Sequence, residues 1–123
     1  MPISNKPSTL IEYPVVVELP IQWGDLDAYG HVNNIAYLKW FEAARAKYAM
    51  RVGVAVTPDP NGFGAALVDV RCRFLRQANY PAIVLVGVRI SRMTIGSVTL
   101  EFKIVDSSTG VALAEGGSDA VIY

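Results

Sequence analysis

Along the chain, the spacing of apolar positions changes twice, and each change marks a new element. "EYPVVVELPIQW", residues 12–23, gathers Val15, Val16 and Val17 between prolines. That predicts a strand at a sheet edge, where a missing N–H does least harm. In "NIAYLKWFEAARAKYAMRVG", Tyr37, Phe41, Ala44 and Tyr48 recur at i, i+4, i+7 and i+11, with Lys39, Glu42, Lys47 and Arg51 between them. This is the period of a helix. Asn33 or Asn34 can cap its start and Gly53 sits where it would stop, which predicts about five turns. From Ala66 the period falls to two. Val68, Val70, Cys72 and Phe74 face one way and Asp69, Arg71 and Arg73 the other, as in a strand with one covered face.

Three further strands follow. "AIVLVGVRI" is apolar on both faces, the mark of a central strand. "SVTLEFKIV" alternates, with Val98, Leu100, Phe102 and Ile104 on one side. "DSSTG" reads as a hairpin loop, and "VALAEGGSDAVIY" as a last strand. Its Gly116–Gly117 pair signals a bulge or a close backbone approach. "TPDPNGFG" is turn chemistry. The "GFGAAL" within and after it imitates a dinucleotide-binding fingerprint, but it lacks the last small residue and is followed by a strand rather than a helix. The order is β-α-β-β-β-β, an α+β domain spanning residues 1–123, with residues 1–10 expected as a loose arm. A five-stranded, mostly antiparallel sheet has one face to cover, and one amphipathic helix can cover it, so the sheet should wrap around that helix.

Composition narrows the function. With 52% apolar residues, the chain can bury a sizeable core, and no run reaches the roughly 18 residues a membrane span needs. Eleven basic residues balance eleven acidic ones, which argues against nucleic-acid or membrane-surface binding by bulk charge. One histidine and one cysteine cannot build a zinc site, and one cysteine cannot close an internal disulfide. "MPISNKPSTL" has no apolar core behind its lysine and does not read as a signal peptide. A cytoplasmic, metal-free domain with no bound cofactor is the expectation. So much apolar surface on a short chain also points to burial between subunits.

The chemistry concentrates in "WGDLDAYGHVNN", residues 23–34, with Asp25, Asp27, the only histidine and two asparagines around Gly30. Either aspartate could be a turn or capping residue. His31 invites a nucleophile triad, but there is no G-x-S-x-G, and Cys72 lies in a core-facing strand phase. A carboxylate beside a helix start can instead serve a substrate whose leaving group departs unaided. A thioester is such a substrate, since it needs only a base or nucleophile and donors for the developing oxyanion. A helix N-terminus supplies those donors as unpaired N–H groups at the positive end of its dipole.

A strand, then "WGDLDAYGHVNNIAYLKWFEAAR" opening a long helix, then four strands resembles the hotdog-fold thioesterases of the 4-hydroxybenzoyl-CoA thioesterase type. The resemblance covers nearly the whole chain, and its specific part is the spacing of Asp27, Gly30, Asn34, Tyr37 and the Glu42–Arg45 pair. It implies that Asp27 is the catalytic carboxylate and that the backbone N–H of Asn34 polarises the thioester carbonyl. Gly30, His31, Asn33 and Tyr37 would line the substrate site. At His31, Asn33 and Asn34 this chain differs from the apolar or aromatic residues of the family's aromatic-acyl members. The implied substrate is an acyl-CoA, so coenzyme A enters with the substrate and not as a cofactor. The assembly would be a homodimer or homotetramer with its sheets continued edge to edge.

Rival readings are hydrolysis of an acyl carrier protein thioester, which would want a basic docking surface, and a non-catalytic acyl-binding or structural hotdog domain, which would have a plugged pocket. A hydratase would need an Asp–His pair, and here His31 follows Asp27 within the same turn. Asp25 is expected as a structural partner. Glu42, on the order of 12 Å along the helix from its start, is expected in an ion pair with Arg45. Arg71, Arg73, Arg76, Arg89 and Arg92 are candidates for the phosphates of coenzyme A.

Overall fold

The computed structural model describes residues 6–51 and 65–122. Strand β1 (Val15–Pro20) leads into helix α1 (Asn34–Arg51), followed by β2 (Ala65–Phe74), β3 (Ile83–Met93), β4 (Ser97–Asp106) and β5 (Ala112–Ile122). Short 3₁₀ turns occupy Ser8–Leu10 and Trp23–Asp25. The expected helix stop at Gly53 and the turn at 57–64 lie outside the described residues.

The strands form one sheet in the order β1-β3-β4-β5-β2, with every neighbouring pair antiparallel. β3 is interior, as its apolar faces predict, and β1 and β2 are the edges. Helix α1 packs on β3 and β1, and its buried face carries Ala36, Tyr37, Trp40, Phe41 and Ala44. Phe41 stacks on Phe102 of β4 with ring centroids 4.2 Å apart. Val15 and Val17 of β1, Val84, Val86 and Val88 of β3, and Leu100 and Ile104 of β4 complete this core. This is the hotdog arrangement, one long helix held against a five-stranded antiparallel sheet. Truncating a buried ring here to alanine would cost about 3–5 kcal/mol.

The other face of the sheet corrects the expectation of a loose arm at residues 1–10, for the part of it that is described. Leu10 is fully buried, with Tyr13, Leu85 and Val105, in a second apolar cluster. The Lys6 ammonium donates to the Tyr13 carbonyl at 2.6 Å, and the Thr9 hydroxyl to the Gly110 carbonyl at 3.0 Å. Gly87 makes this docking possible, because a Cβ there would stand 2.8 Å from the Tyr13 Cβ and 2.9 Å from a Leu10 methyl. The Arg89 guanidinium lies 4.7 Å above the Tyr13 ring. Only a close approach, and no bulge, explains the two glycines of β5. A side chain at Gly116 would run into the Arg71 carbonyl, and one at Gly117 would come within 2.6 Å of the Leu100 carbonyl.

β2 departs from expectation in burial. Its register slips between Leu67 and Asp69, and the residues expected as a covered face are largely open. Val68 is 65% exposed, Val70 38% and Phe74 44%. Among the described residues, nothing covers this end of the sheet.

Candidate active site

The turn from Trp23 to Asn34 is built around two aspartates with different roles. Asp25 is buried and ends the 3₁₀ turn. Its carboxylate accepts the Gln22 N–H at 2.9 Å and faces the Lys39 ammonium at 3.5 Å, while its carbonyl accepts the Asn33 N–H at 2.8 Å. These contacts fasten the loop to the first turn of α1, so Asp25 is the structural partner expected of it.

Asp27 is exposed. Its backbone N–H donates to the His31 carbonyl at 2.8 Å, its carbonyl accepts the Gly30 N–H at 3.0 Å, and Leu26 bridges to Val32. The chain therefore reverses within four residues. Gly30 sits at the reversal with φ +76°, a conformation that strains any residue with a Cβ. The Asp27 Oδ1 accepts the Tyr29 N–H at 2.9 Å and the His31 N–H at 3.1 Å. Its Oδ2 has no partner among the described residues. One oxygen holds the carboxylate in place and the other is left open.

The helix starts just beyond. The Asn33 side chain accepts the Ile35 N–H at 3.0 Å and is the N-cap. The Ala36 N–H bonds back to the Asn33 carbonyl at 2.9 Å. The Asn34 N–H is left without a partner among the described residues, and Asn34 lines a cavity of about 200 Å³ with Val32, Tyr37, Phe74, Leu75, Arg76 and Gln77. Asp27, Gly30, His31 and Asn33 do not line this cavity. Within one chain, the turn with the free carboxylate and the cavity at the helix end are neighbouring features joined through Val32–Asn34. His31 enters the turn through its backbone, and its exposed imidazole has no partner among the described residues.

Tyr37 is the buried wall of the cavity. Its ring meets Trp40 and Phe74 edge-on at centroid distances of 5.0 and 5.2 Å, and its hydroxyl oxygen accepts the Ala78 N–H at 3.1 Å. Burial pushes the phenol above its ordinary pKa, outweighing the Ala78 N–H, which favours the charged form. It is a neutral donor at physiological pH. Burial likewise raises the Cys72 thiol, which leaves little thiolate to act as a nucleophile.

Glu42 is taken up by Arg45 at 2.6 Å in an intrahelical pair, the arrangement expected from their spacing. The arginines divide. Arg89 is bound to Glu12 at 3.0 Å and Glu101 at 3.2 Å, and Arg71 to Asp119 at 3.4 Å. Arg73, Arg76 and Arg92 have no such partner among the described residues. The sequence marks Phe74 as core-facing and Arg76 as a phosphate candidate but does not bring the Phe74–Gln77 segment together as a wall, since its place opposite Tyr37 depends on a contact across 41 residues. Its one local signal is the end of the period-two pattern at Phe74.

The sequence profile of the thioesterase-like superfamily matches residues 21–123. The chain belongs to the thioesterase-like superfamily. Its fold is that of a Pseudomonas aeruginosa protein described as a candidate thioesterase, 26% identical, with a TM-score of 0.82 over 89% of this chain and 84% of that one. A candidate acyl-CoA thioesterase from Xanthomonas campestris is 25% identical, with a TM-score of 0.76 over 89% and 92% of the two chains. The DHNA-CoA thioesterase of Staphylococcus aureus shares the fold, with a TM-score of 0.79 over 88% of this chain and 72% of that one, at 18% identity. None of the curated proteins matches significantly. Superfamily membership makes this chain a thioester hydrolase in class. Among its described residues, no helix is long and apolar enough to cross a membrane.

Proposed function

We propose that the protein hydrolyses an acyl-CoA to the free acid and coenzyme A, with Asp27 as the reacting carboxylate and the Asn34 N–H as oxyanion donor. The observation that carries this reading is the division of labour within Asp27, with Oδ1 pinned by two backbone N–H groups and Oδ2 free. In one route Oδ2 takes a proton from water as the oxygen bonds to the thioester carbon. The carbonyl oxygen becomes an oxyanion that receives the Asn34 N–H, at the positive end of the helix dipole. Collapse breaks the C–S bond, the electron pair leaves on sulfur, and the proton held by Asp27 passes to the thiolate. In the other route Oδ2 attacks the carbon itself, the C–S electron pair leaves on sulfur, and water opens the resulting anhydride, freeing the acid, regenerating the carboxylate and supplying the proton that the thiolate takes. Both need the same carboxylate and the same donor.

Coenzyme A suits this chain better than a carrier protein. A carrier protein would call for a basic docking surface, and two of the strand arginines, Arg71 and Arg89, are already paired with Asp119 and with Glu12 and Glu101. Arg76, at the cavity, and Arg73 remain for phosphate. The acyl-CoA thioesterase named among the structural relatives favours the same substrate.

The working unit in this reading is a homodimer or larger. β2 offers an unpaired strand edge and exposed Leu67, Val68 and Phe74, and a second copy meeting it across a two-fold axis would continue the sheet and cover them. The strand runs directly into the Phe74–Gln77 wall, so its partner would sit beside the cavity. Sedimentation at micromolar concentration should show no stable monomer, and Val68→Lys should release one. A wild-type monomer would overturn this assembly. For the reaction itself, a panel of acyl-CoA esters of differing length and ring content, assayed by free-thiol release, should include at least one good substrate. Failure to release thiol from any, alongside turnover of carrier-protein thioesters, would move the function to the rival substrate.

A further inference from the structure

Tyr37 presents a hydrogen-bond donor with nothing to donate to. Its side chain is 97% withdrawn from solvent, being only 3% exposed, and its oxygen already accepts the Ala78 N–H. A phenol also carries a proton to give, and among the described residues that proton has no acceptor. A buried polar group left unmatched costs about 1–3 kcal/mol, so the structure leaves a demand for an acceptor at this point. The hydroxyl stands against the Leu75–Ala78 loop that walls the cavity, and Tyr37 itself lines it.

The rest of the lining bears on what could answer that demand. Val32, Phe74 and Leu75 are apolar, which suits hydrocarbon. The volume of about 200 Å³ exceeds only modestly the roughly 150 Å³ of a cavity that takes up benzene. A single ring or about six to eight chain atoms fit within it, and the cavity is open to the surface. The helix start with the open Asn34 N–H lies one turn before Tyr37, so a thioester carbonyl at Asn34 would send its acyl group along the cavity past the phenol.

We infer that Tyr37 is a specificity-determining residue: its hydroxyl donates to an oxygen carried partway along a short acyl group, so that the enzyme prefers acyl chains bearing a carbonyl, hydroxyl or ether oxygen over their plain hydrocarbon equivalents. This rests on the acyl-CoA reading and adds the chemistry of the acyl half. In the empty, open cavity the phenol can donate to water, and a substrate oxygen can replace that water without loss. A hydrocarbon chain displaces the water and leaves the phenol proton unmatched, which is the penalty that creates the preference.

The test is a series of acyl-CoA esters of six to eight chain atoms in which one methylene after another is replaced by a carbonyl, read as kcat/KM for wild type and Tyr37→Phe. At one position the wild type should favour the oxygenated ester by about five- to tenfold, the scale of one net hydrogen bond. Tyr37→Phe should lose that preference, read as the ratio of oxygenated to plain ester within the variant itself, whatever its rate on the plain ester. A preference that survives in Tyr37→Phe overturns the inference, as does a wild type indifferent to oxygen at every position. Because the variant also removes the acceptor of the Ala78 N–H, it should melt lower. If it does not fold, the wild-type series decides alone. Calorimetric binding of the matching free carboxylic acids to wild type separates the two readings. An oxygen-dependent affinity without any hydrolysis would retain the role of Tyr37 and overturn the hydrolase reading, whereas hydrolysis without oxygen dependence would do the reverse.

Discussion

Asp25 and Asp27 lie two residues apart in one turn, and the regions around them are built for opposite purposes. Around Asp25 every polar atom is spoken for: Gln22, Asn33 and Lys39 converge on it, and only 6% of its surface is exposed. Around Asp27 the contacts come from backbone alone, they hold one oxygen, and the other faces solvent. The difference shows how a short connection can be both rigid and reactive. The buried aspartate spends its charge fixing the loop to the helix, and the exposed one inherits a defined position without being neutralised. A third aspartate sharpens the contrast. Asp106, in the β4–β5 hairpin, uses Oδ1 to accept the N–H groups of Ser108 and Thr109 at 2.8 and 3.2 Å, much as Asp27 does, but it has no helix start beside it. A carboxylate cradled in a turn is therefore not in itself a reaction centre.

Replacement of the anchor should do the most damage. Asp25→Ala removes the acceptor of the Gln22 N–H and strands the Lys39 ammonium, for a loss of about 2–3 kcal/mol in denaturant unfolding. Activity should fall with it, because the turn that carries Asp27 is no longer pinned. Asp25→Asn, which still accepts from Gln22, should recover a good part of the stability. Equal stability of all three proteins would show that the two aspartates do not differ as described.

A smaller effect is expected at His31, which serves the turn through its N–H and carbonyl. His31→Ala keeps both, so activity should drop by less than about tenfold, well below the loss expected for a group that transfers protons. The midpoint of the acid limb of kcat/KM should stay where it was. Disappearance of that limb in the variant would make histidine the base and reduce Asp27 to its orienting partner.

The smallest effect belongs to Asp106→Asn. Activity should be unchanged, since only the resemblance of the two turns connects this residue to the site. Stability should change by no more than the few tenths of a kcal/mol usual at exposed positions. Its sign with pH is defined. The Ser108 hydroxyl holds the Asp106 carboxyl below the usual carboxylate range, with the Ser108 and Thr109 N–H groups adding to it. A depressed folded pKa contributes stability that is complete above the unfolded value and fades as pH falls through the folded one. Wild type and Asp106→Asn should therefore differ most near neutral pH and converge in acid, as read by melting temperature against pH.

Much of this architecture is legible in the residues themselves, because it rests on local period. The spacing of Tyr37, Phe41 and Ala44 marks the helix and its buried face. The alternation from Val98 to Ile104 marks a strand, and Asn33 marks the cap. The division between Asp25 and Asp27 is legible in part, since a helix start with two nearby carboxylates needs one of them for structure. Long-range placement is not. The docking of Leu10 and Tyr13 on the outer face follows no period, and only Gly87, a glycine inside an otherwise valine-rich strand, hints that another segment comes close. The cavity wall at Phe74–Gln77 is invisible for the same reason, since Tyr37 and Ala78 meet only after the sheet has formed. Nor does alternation reveal what covers a face, which is why β2 reads as a buried strand while Val68, Val70 and Phe74 stand exposed.

The most direct test of the account is Asp27→Asn, with unfolding and free-thiol release measured on the same preparation. The amide oxygen can still accept the Tyr29 and His31 N–H groups, so the melt should stay within the few tenths of a kcal/mol expected of an exposed substitution. In the proposed mechanism the reacting oxygen is replaced by an amide nitrogen that can neither take a proton nor attack a carbonyl, so turnover should fall by at least about a hundredfold. An unchanged melt with an abolished rate is the result predicted. An unchanged melt with a near wild-type rate would contradict the central claim and move the chemistry to another carboxylate.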